Sequence, residues 1–420
     1  MSQDSQVFSE WDAYAQRKEL KPRDMDLAAI ESASALKIAA ITGIRRCGKT
    51  SLLLLLRQRL EKEGKHAAYV NMEDSRLKGR PDALDSVLKW FGDSGYLLLD
   101  EVTSAEGWES WLARNHEMLK GKLRIIASSS RRGLAKPSKP LRGRIFAYEL
   151  FPLSFPEFLE FRAIKIEKTT AGIGKVEKAL SEYIEFGGFP EVVLFKDQLE
   201  KTKLLGTYFK DILGLDIAEV SGESVSMVEL FGKYVLEAPY FSASKSLNFF
   251  KGLGHKIGKQ SILDLEKYSQ DGYLFFFVPI FSAKVKDKAQ YSRKAYAGDT
   301  GFMRAISGKM DLGRLYENAV FLELRRRSPT GEEINYWQGS SGQEVDFVLR
   351  RGIETKSLIQ VVYELNEQTR GREVGGLVSC AKETGVKSGL IVTKDYEGQE
   401  KVDGVSIKFV PLWKWLTGSD

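Results

Sequence analysis

The sequence predicts an α/β fold in which a parallel sheet carries a phosphate-binding loop, and three observations lead to this prediction. First, Gly43–Thr50 reads G-x-x-x-x-G-K-T and lies between an apolar run and a leucine-rich helical run. Second, apolar strands alternate with helical patterns from residue 30 to 150, which is typical of a parallel sheet with helices on both faces. Third, the apolar stretch YLLLDE at residues 96–101 ends in two carboxylates, and α/β proteins bind ligands at such strand ends.

Apolar runs in this region have the length and composition of buried strands, and helical patterns separate them. Residues 108–118 form one such helix, in which Trp108, Trp111 and Leu112 share one face. Because the strands are parallel, we expect their carboxyl ends to meet at one edge of the sheet. The predicted strands are Leu36–Ile41, Ala67–Asn71, Tyr96–Leu99, Leu123–Ala127 and Ile145–Leu150.

The loop after the first strand supplies the groups that a nucleoside triphosphate requires. Gly43 and Gly48 let the backbone turn and aim N–H groups at phosphate oxygens, and the following helix adds its positive dipole end. Lys49 can reach the β- and γ-phosphates, and the Thr50 hydroxyl can hold Mg²⁺. We therefore expect ATP and Mg²⁺ as cofactors. The predicted nucleotide contacts are Gly43, Arg45, Arg46, Cys47, Gly48, Lys49, Thr50 and Ser51.

Two carboxylates after the third strand indicate hydrolysis as well as binding. Asp100 is expected to hold Mg²⁺ through water, and Glu101 is expected to orient and deprotonate the attacking water. A phosphate-binding loop precedes them in the same alternating region, so we interpret both as part of its site. Cys47, inside that loop, is interpreted as a small residue that the loop tolerates, with redox control as the alternative.

Composition is that of a large soluble protein. The chain has 420 residues, enough for several domains, and its 43% hydrophobic and 29% charged residues provide for both core and surface. Its two cysteines lie far apart and its three histidines are scattered, so neither a disulfide framework nor a zinc site is expected. The polar N-terminus is unlike a secretory signal, and the longest aromatic-apolar run is too short for a membrane span. We expect a cytoplasmic protein without membrane partners. A net charge of +6 permits nucleic-acid contact without demonstrating it.

The motifs ITGIRRCGKTSLL, YLLLDE, LRIIASSSR and LRGRIFAYELFPLSFPEFLEF together resemble the archaeal and bacterial AAA+ P-loop ATPases that are fused to a C-terminal nuclease-like domain. The resemblance implies a P-loop AAA+ parallel sheet core with a helical lid, a winged-helix domain and an α/β restriction-endonuclease-like C-terminal domain. We assign the core to residues 1–150, the lid to 151–218, the winged-helix domain to 219–300 and the nuclease-like domain to 301–420.

The same resemblance implies two further catalytic residues. Ser129 matches the sensor position, where a small polar side chain bonds between the attacking water and the γ-phosphate. Arg144, in a Gly-Arg pair just before the fifth strand, matches the arginine finger that reaches the nucleotide of a neighbouring subunit. A finger acting in this way requires a homo-oligomer. The alternative is a solvated or ion-paired arginine.

Residues 242–296 read as a helix, a turn, a second helix and a basic hairpin. We predict helices from Ser242, as N-cap, to Gly252 and over Lys259–Ser269, followed by strands at Tyr273–Phe281 and Arg293–Tyr296. This order resembles a winged helix, whose second helix enters the major groove of DNA while its wing contacts phosphates. The alternatives are a winged helix that serves packing or partner contact, and lysines that are simply solvated. The expected DNA contacts are Lys256, Lys259, Gln260, Lys284, Lys286 and Arg293.

The last part of the chain resembles the core of PD-(D/E)XK nucleases but departs from it on one strand. Glu317 on a helix and Asp346 on a strand match two acidic positions, and the period of two puts Glu344 on the same face as Asp346. The next strand carries Gln360 and Val362 where the family has Glu-x-Lys. Gln360 keeps a carbonyl oxygen for a hard cation, but Val362 can neither activate water nor stabilise a phosphorane.

We therefore expect the degenerate site of Glu317, Glu344, Asp346 and Gln360 to be inactive as a nuclease, and the domain to bind DNA or another subunit. Glu344 and Asp346 are alternatively only solvent-facing strand residues. The predicted function is an AAA+ ATPase that binds ATP or ADP, hydrolyses ATP with Mg²⁺ and couples hydrolysis to DNA binding, with branched or junction DNA in repair or recombination as the target. Two alternatives remain. One is a nucleotide-controlled signalling switch of the STAND type with protein partners, and the other is an active metal-dependent nuclease whose lysine comes from elsewhere.

Overall fold

The computed structural model describes residues 3–135, 139–282, 291–328 and 331–419, and the chain divides into two compact units. Unit 1 comprises Met1–Pro152 together with Asp271–Tyr273. Unit 2 comprises Leu153–Gln270 and Leu274–Asp420. Unit 1 is therefore built from two separate stretches of sequence.

A five-stranded parallel sheet forms the centre of unit 1. Its strands lie in the order β2-β3-β4-β1-β5, and every neighbouring pair is parallel. All the predicted strands are confirmed with small shifts at their ends. The four inner and opposite-edge strands are largely buried and read as continuous apolar runs, whereas β5 at the sheet edge is only partly buried. The strands are β1 (Ile38–Thr42), β2 (Ala67–Asn71), β3 (Gly95–Asp100), β4 (Leu123–Ser129) and β5 (Ile145–Glu149).

Helices of unit 1 pack their apolar faces against this sheet. The core joins Phe8 and Leu112 from helices to Ala40, Val70 and Leu97 from three strands of the sheet, and all of these side chains are buried. The predicted helix at residues 108–118 is confirmed. The helices are α1 (Gln3–Arg17), α2 (Leu27–Ser34), α3 (Lys49–Lys62), α4 (Ala83–Phe91) and α5 (Trp108–Met118), with 3-10 turns at Val102–Ser104 and Lys139–Leu141.

Unit 2 begins with the helical segment that the sequence predicts for residues 151–218. Its first helix starts at a capping box, in which Ser154 accepts from the Glu157 N–H and the Glu157 carboxylate accepts from the Ser154 N–H. The segment contains α6 (Phe155–Phe161), α7 (Thr170–Phe186), α8 (Pro190–Leu194), α9 (Gln198–Asp211), the π-helix Ile212–Ala218 and α10 (Glu219–Ser221).

A buried carboxylate holds the glycine turn after α7. Asp299 accepts from the N–H of Gly188 at 2.8 Å and from the N–H of Gly301 at 2.9 Å. A Cβ on Gly187, whose φ is 74°, would lie 1.6 Å from Asp299 Oδ1, so this position requires glycine. Burial raises the pKa of Asp299 to about 7.

The middle of unit 2 contains the predicted pair of helices and a small antiparallel sheet of order β6-β8-β7. Ser242 stands at the predicted N-cap, although its side chain makes no capping hydrogen bond. The strand predicted from Tyr273 begins two residues later, because Tyr273 has a φ of 60° and leaves the extended region. The elements are α11 (Val225–Glu237), β6 (Tyr240–Phe241), α12 (Ala243–Gly252), α13 (Lys259–Asp271), β7 (Phe275–Val278), β8 (Arg293–Ala297) and a π-helical turn at Met303–Ser307.

A mixed six-stranded sheet of order β13-β14-β12-β11-β10-β9 completes unit 2. Its β11, β12 and β14 are parallel neighbours and the other pairs are antiparallel. In the parts of the chain that the structure describes, no helix is long and apolar enough to cross a bilayer. The elements are α14 (Leu312–Arg327), β9 (Glu332–Gln338), β10 (Glu344–Arg351), β11 (Glu354–Val362), α15 (Glu367–Thr384), β12 (Ser388–Thr393), β13 (Gly398–Val402), β14 (Val405–Pro411) and α16 (Leu412–Thr417).

Candidate functional site

The glycine-rich loop connects the carboxyl end of β1 to the first turn of α3, where Ser51 also lies. Gly48 has a φ of 106°, a left-handed value that favours glycine. A Cβ on Gly43 would lie 2.0 Å from the carbonyl oxygen of Leu150. Both glycines of the motif are therefore required by the backbone itself, and the loop N–H groups stand at the N-terminal end of a helix, where anions bind.

The ammonium of Lys49 lies inside this loop. Its Nζ donates to the carbonyl oxygens of Gly43 at 3.0 Å and Ile44 at 3.3 Å, and it lies 3.5 Å from Glu101 Oε1. The side chain is buried. A positive charge is therefore held at the loop that the motif uses for phosphates, beside the carboxylate expected to act on water.

Asp100, at the end of β3, accepts hydrogen bonds from three hydroxyl groups. Thr50 Oγ1 donates to its Oδ2 at 2.6 Å, the Tyr69 hydroxyl donates to the same oxygen at 2.8 Å, and Ser128 Oγ donates to its Oδ1. Burial and the charge of Asp100 raise the pKa of Tyr69, so its phenol stays protonated and donates. The Thr50 hydroxyl and the Asp100 carboxylate are the hard oxygen ligands that Mg²⁺ prefers, so these residues fit the predicted cation.

Glu101 has a backbone conformation that is rare for a side-chain-bearing residue. Its φ and ψ are both 47°, in the left-handed region. Its N–H donates to Ser128 Oγ at 3.0 Å, and its Oε2 accepts from the Ser130 N–H at 2.9 Å. These contacts fix the carboxylate beside Lys49, and backbone strain of this kind tends to cluster at functional sites.

Ser129, the predicted sensor, ends β4 at the level of Thr42 in the sheet register. Its hydroxyl lies 2.9 Å from Thr103 Oγ1 and accepts from the N–H of Arg131 at 3.1 Å. The residue is buried at the edge of the sheet from which the glycine-rich loop departs. Its hydroxyl therefore faces the same end of the sheet as the loop, but it is engaged by Thr103.

The remaining side chains of the loop differ in their surroundings. Arg45 forms an ion pair with Glu73, with Nη1 and Oε1 3.3 Å apart, whereas Arg46 is exposed and has a φ of 71°. The thiol of Cys47 is buried and its Sγ donates to the Leu150 carbonyl oxygen at 3.3 Å. Burial raises the pKa of Cys47, which favours a packing residue over a reactive thiol.

Two residues that sequence analysis did not identify also hold the loop. Arg23 donates from Nη1 to the carbonyl oxygen of Cys47 at 2.6 Å and from Nη2 to that of Phe151 at 2.9 Å. The hydroxyl of Tyr273 lies 2.7 Å from Thr42 Oγ1, directly before the loop. Neither residue lies in a motif and both are distant from the loop in sequence, so no local pattern indicates them. Tyr69 lies inside a predicted strand and Ser128 lies in the motif LRIIASSSR beside the predicted sensor, but sequence analysis assigned neither of them a contact with Asp100.

Arg144 lies at the amino-terminal ends of the strands, whereas the glycine-rich loop of the same chain lies at their carboxyl ends. Parallel pairing aligns Ile145 with Ile38, so Arg144 stands where β1 begins, whereas the loop follows the end of β1. Its Nη2 lies 3.2 Å from Glu117 Oε2, and its Nη1 donates to the Pro140 carbonyl oxygen at 2.9 Å. Within one chain Arg144 is therefore an ion-paired arginine outside the phosphate site.

The predicted DNA contacts fall into three groups. Arg293 donates to Glu266 Oε2 at 2.8 Å, and its guanidinium lies 5.7 Å from the centre of the Phe241 ring. It pairs with a buried acid while its own side chain stays 28% exposed, so the predicted contact with DNA stays a prediction. Lys284 and Lys286 lie outside the described residues. The exposed group at the start of α13 consists of Lys256, Lys259 and Gln260.

The four residues of the predicted degenerate nuclease site come together from α14, β10 and β11. They are Glu317, Glu344, Asp346 and Gln360. Asp346 is 5% exposed, so its alternative prediction as a solvent-facing residue is wrong. Its N–H donates to Gln360 Oε1 at 3.0 Å, and burial together with the charge of Glu317 raises its pKa. An unpredicted residue, Lys294 of β8, contacts the three carboxylates of this cluster.

Three protein families match consecutive parts of the chain. The family described as AAA domain matches residues 36–159. Two domains of unknown function follow, DUF8612 at residues 177–312 and DUF4143 at residues 312–415.

Relatives are similar over nearly the whole chain. The uncharacterized protein MJ1544 of Methanocaldococcus jannaschii is 34% identical over 417 residues, covering 96% of this chain and 92% of the relative. An uncharacterized protein of Haemophilus influenzae is 27% identical over 392 residues, covering 90% and 94%. Among solved structures, AMPPCP-bound DnaA from Aquifex aeolicus is 16% identical with a TM-score of 0.26, covering 59% of this chain and 86% of that chain.

Proposed function

The chain belongs to the family of MJ1544 and carries an AAA+ P-loop ATPase domain, and on this premise we propose that it hydrolyses ATP with Mg²⁺ and couples hydrolysis to DNA binding. One observation carries the hydrolysis part of the proposal. Lys49, Thr50, Asp100 and Glu101 converge at the loop, joined by contacts of 2.6 Å between Thr50 and Asp100 and 3.5 Å between Lys49 and Glu101.

Each of these residues has a distinct task in the proposed reaction. Mg²⁺, when bound, neutralises charge on the phosphates, and Thr50 and Asp100 are the residues that would hold it. Lys49 supplies a positive charge to the phosphates. Glu101 orients the attacking water and takes its proton, and the Ser130 N–H keeps the carboxylate aimed so that little reorganisation is needed.

Phosphate release from ATP by the purified full-length protein tests this proposal. Glu101→Gln should retain ATP binding but lower turnover by about 10²–10⁴-fold, the usual contribution of a general base. Lys49→Ala should lose ATP binding in calorimetry. Glu106→Gln, which changes an exposed acid nearby, is the matched control and should behave like the parent. Turnover in Lys49→Ala equal to that of the parent would overturn the proposal.

DNA binding is proposed for the helices α12 and α13. The element order α11, β6, α12, α13, β7, β8, with an antiparallel sheet of the three strands, supports a winged-helix assignment. Exposed lysines run along the two helices and their connection, and within the described residues none of them forms an ion pair. They are Lys245, Lys251, Lys256, Lys259 and Lys267. Such a row of uncompensated charge suits a phosphate backbone.

Charge reversal separates this proposal from general attraction to a basic protein. The variant Lys256→Glu/Lys259→Glu should weaken binding to duplex, fork and four-way DNA in mobility-shift assays. It should also lower the salt slope of log K by about 1.8, since each lost phosphate contact removes about 0.9. The control Lys78→Glu/Lys387→Glu changes two exposed lysines elsewhere and the same net charge. Equal losses in both variants would contradict a specific DNA face.

Arg144 is proposed to act on the nucleotide of a neighbouring subunit. Its position at the amino-terminal ends of the strands, away from its own loop, supports a role in trans. Mixing Lys49→Ala with Arg144→Ala should then restore part of the ATPase activity, because the first variant supplies the arginine and the second supplies the intact loop. Mixed oligomers that form by sedimentation yet stay inactive would refute this role.

The rival functions give different results in the same assays. Slow turnover that neither DNA nor Glu101→Gln changes would favour a signalling switch with protein partners. The nuclease alternative requires a catalytic lysine from outside the expected motif, and Lys294 is a lysine that contacts Asp346. Cleavage of labelled DNA with Mg²⁺ or Mn²⁺, lost in Asp346→Ala, would establish that alternative.

A further inference from the structure

A single ammonium stands at the centre of the acidic cluster in unit 2. Lys294 Nζ lies 2.8 Å from Glu317 Oε1, 2.5 Å from Glu344 Oε1 and 2.7 Å from Asp346 Oδ1. The residue is 4% exposed. It comes from β8 of the small antiparallel sheet, whereas the acids come from α14 and β10. The charge that joins these carboxylates is therefore supplied by a different part of unit 2.

Each carboxylate also accepts a hydrogen bond from one further donor, which in Glu317 reaches the same oxygen that faces Lys294. Glu317 Oε1 accepts from the Tyr296 hydroxyl at 2.5 Å, and Glu344 Oε2 accepts from the Tyr240 hydroxyl. Asp346 Oδ2 accepts from the Val361 N–H at 2.8 Å. Donors thus surround the acids, and the cluster is ordered without any further cation.

Both polar atoms of the Gln360 side chain also form hydrogen bonds within the cluster. Its Oε1 accepts from the Asp346 N–H at 3.0 Å, and its Nε2 donates to Glu373 Oε2 at 2.6 Å. The carbonyl oxygen that sequence analysis reserved for a hard cation is therefore already used. Among the residues that the structure describes, no group of three or more His, Cys, Asp or Glu side chains is placed to hold a metal ion.

The size of the neighbouring cavity argues against a bound nucleotide, and the ammonium beside it argues against a bound metal. A cavity of about 100 Å³ borders the cluster, lined in part by Lys294, Glu317 and Glu344. Ligand pockets usually measure about 300–1,000 Å³, so this cavity suits a few waters and is too small for a nucleotide. A divalent ion at the centre would also meet the ammonium at close range. The residues do not fit a metal while Lys294 is in place.

We propose that Lys294 is a built-in counter-ion that occupies the cation position of a nuclease-type site and keeps the C-terminal domain free of metal. The lysine of β8 takes over the task of a divalent ion, which is to hold acids of α14 and β10 together. It cannot also serve as the catalytic lysine beside a metal, because both charges would need the same place. This inference does not depend on ATP hydrolysis.

Manganese binding to the nucleotide-free, full-length protein tests the proposal, with free Mn²⁺ measured by electron paramagnetic resonance. Lys294→Ala should gain one Mn²⁺ site per chain that the wild type lacks, because truncation opens space among three carboxylates. The double variant Lys294→Ala/Asp346→Asn should lose the gained site. Lys201→Ala is the matched control, since Lys201 is another buried lysine of unit 2 but pairs with Glu182.

Two results of the manganese measurements would overturn the proposal. One is a Mn²⁺ site in the wild type that Asp346→Asn removes, since ammonium and metal would then coexist. The other is a folded Lys294→Ala variant that gains no site. A variant that folds only with Mn²⁺ supports the proposal.

Iron-directed cleavage of the wild-type backbone decides the question even if no variant folds. With Fe²⁺, ascorbate and peroxide, bound iron cuts nearby peptide bonds. The proposal expects no cuts near Glu317 or at residues 344–346 of the native chain. Cuts at these positions would refute it.

Discussion

Tyr69 offers the sharpest test of how the ATPase site is organised, because it belongs to no motif and touches a motif residue. Its hydroxyl donates at 2.8 Å to Asp100 Oδ2, the oxygen that also accepts from Thr50. If Thr50 turns its hydroxyl towards Mg²⁺, Tyr69 and Ser128 remain as the donors that orient Asp100. Tyr69→Phe removes one of them and preserves the shape of the side chain.

The expected magnitude follows from the role of Tyr69 as a partner of a predicted cation ligand. Loss of such a partner usually lowers metal affinity or activity by about 10–100-fold. Ser128 still donates to Asp100 in the variant, so we expect the lower end, about tenfold, or about 1.4 kcal/mol. The loss should concern the Mg²⁺-dependent part of ATP affinity, because Tyr69 contacts the carboxylate and not the loop.

Competition with a fluorescent ATP analogue, titrated with Mg²⁺ and with EDTA, measures this directly. Tyr69→Phe should bind ATP like the parent in EDTA and about tenfold more weakly in Mg²⁺. Tyr148→Phe is the control. Tyr148 lies on β5, and its hydroxyl donates to the carbonyl oxygen of Ala29 at 2.9 Å, so the variant loses a hydroxyl that does not contact Asp100. Equal losses with and without Mg²⁺, or none in a folded variant, would refute the assignment.

Two further substitutions test the packing of each unit. Gly43→Ala should abolish ATP binding in calorimetry, because its Cβ would lie 2.0 Å from the Leu150 carbonyl oxygen, whereas Gly133→Ala has no atom within 4 Å and should bind normally. The free energy of unfolding of the wild type should fall as pH rises, and Asp299→Asn should make this fall smaller. The pKa of Asp299 is about 7 in the folded protein against an ordinary 3.8, so the wild type loses up to about 1.4 kcal/mol per pH unit between these values. Thermal midpoints from pH 4 to 8 check this, with exposed Asp403→Asn as control, and an unchanged slope would contradict it.

The sheet of unit 1 and its loop were predictable because their signals are local. A buried parallel strand is a continuous apolar run, and the glycine-rich loop has fixed residue types at fixed spacing. Arg23 and Tyr273 were not predictable, since each reaches the loop across a long stretch of sequence. Their side chains are ordinary ones, and only the folded chain shows what they contact.

The strand β8 shows the same limit within two neighbouring residues. Its existence was predicted, but Arg293 was expected to face DNA and Lys294 was given no role. In the structure Arg293 pairs with Glu266 of α13, and Lys294 enters the cluster around Asp346. Alternation along a strand separates the two side chains onto opposite faces. It does not say which face meets an acid, because that depends on what the strand packs against.

The short segment Asp271–Tyr273 makes the ATPase unit discontinuous in sequence. A fragment that stops at Pro152 would lack Tyr273. The hydroxyl of Tyr273 bonds Thr42, and its ring lies 4.4 Å from the guanidinium of Arg132. The ATPase unit therefore cannot be expressed or exchanged as one continuous stretch of sequence. A fragment of residues 1–152 alone should be less ordered next to the phosphate-binding loop. A design of this unit therefore has to include residues 271–273 as well.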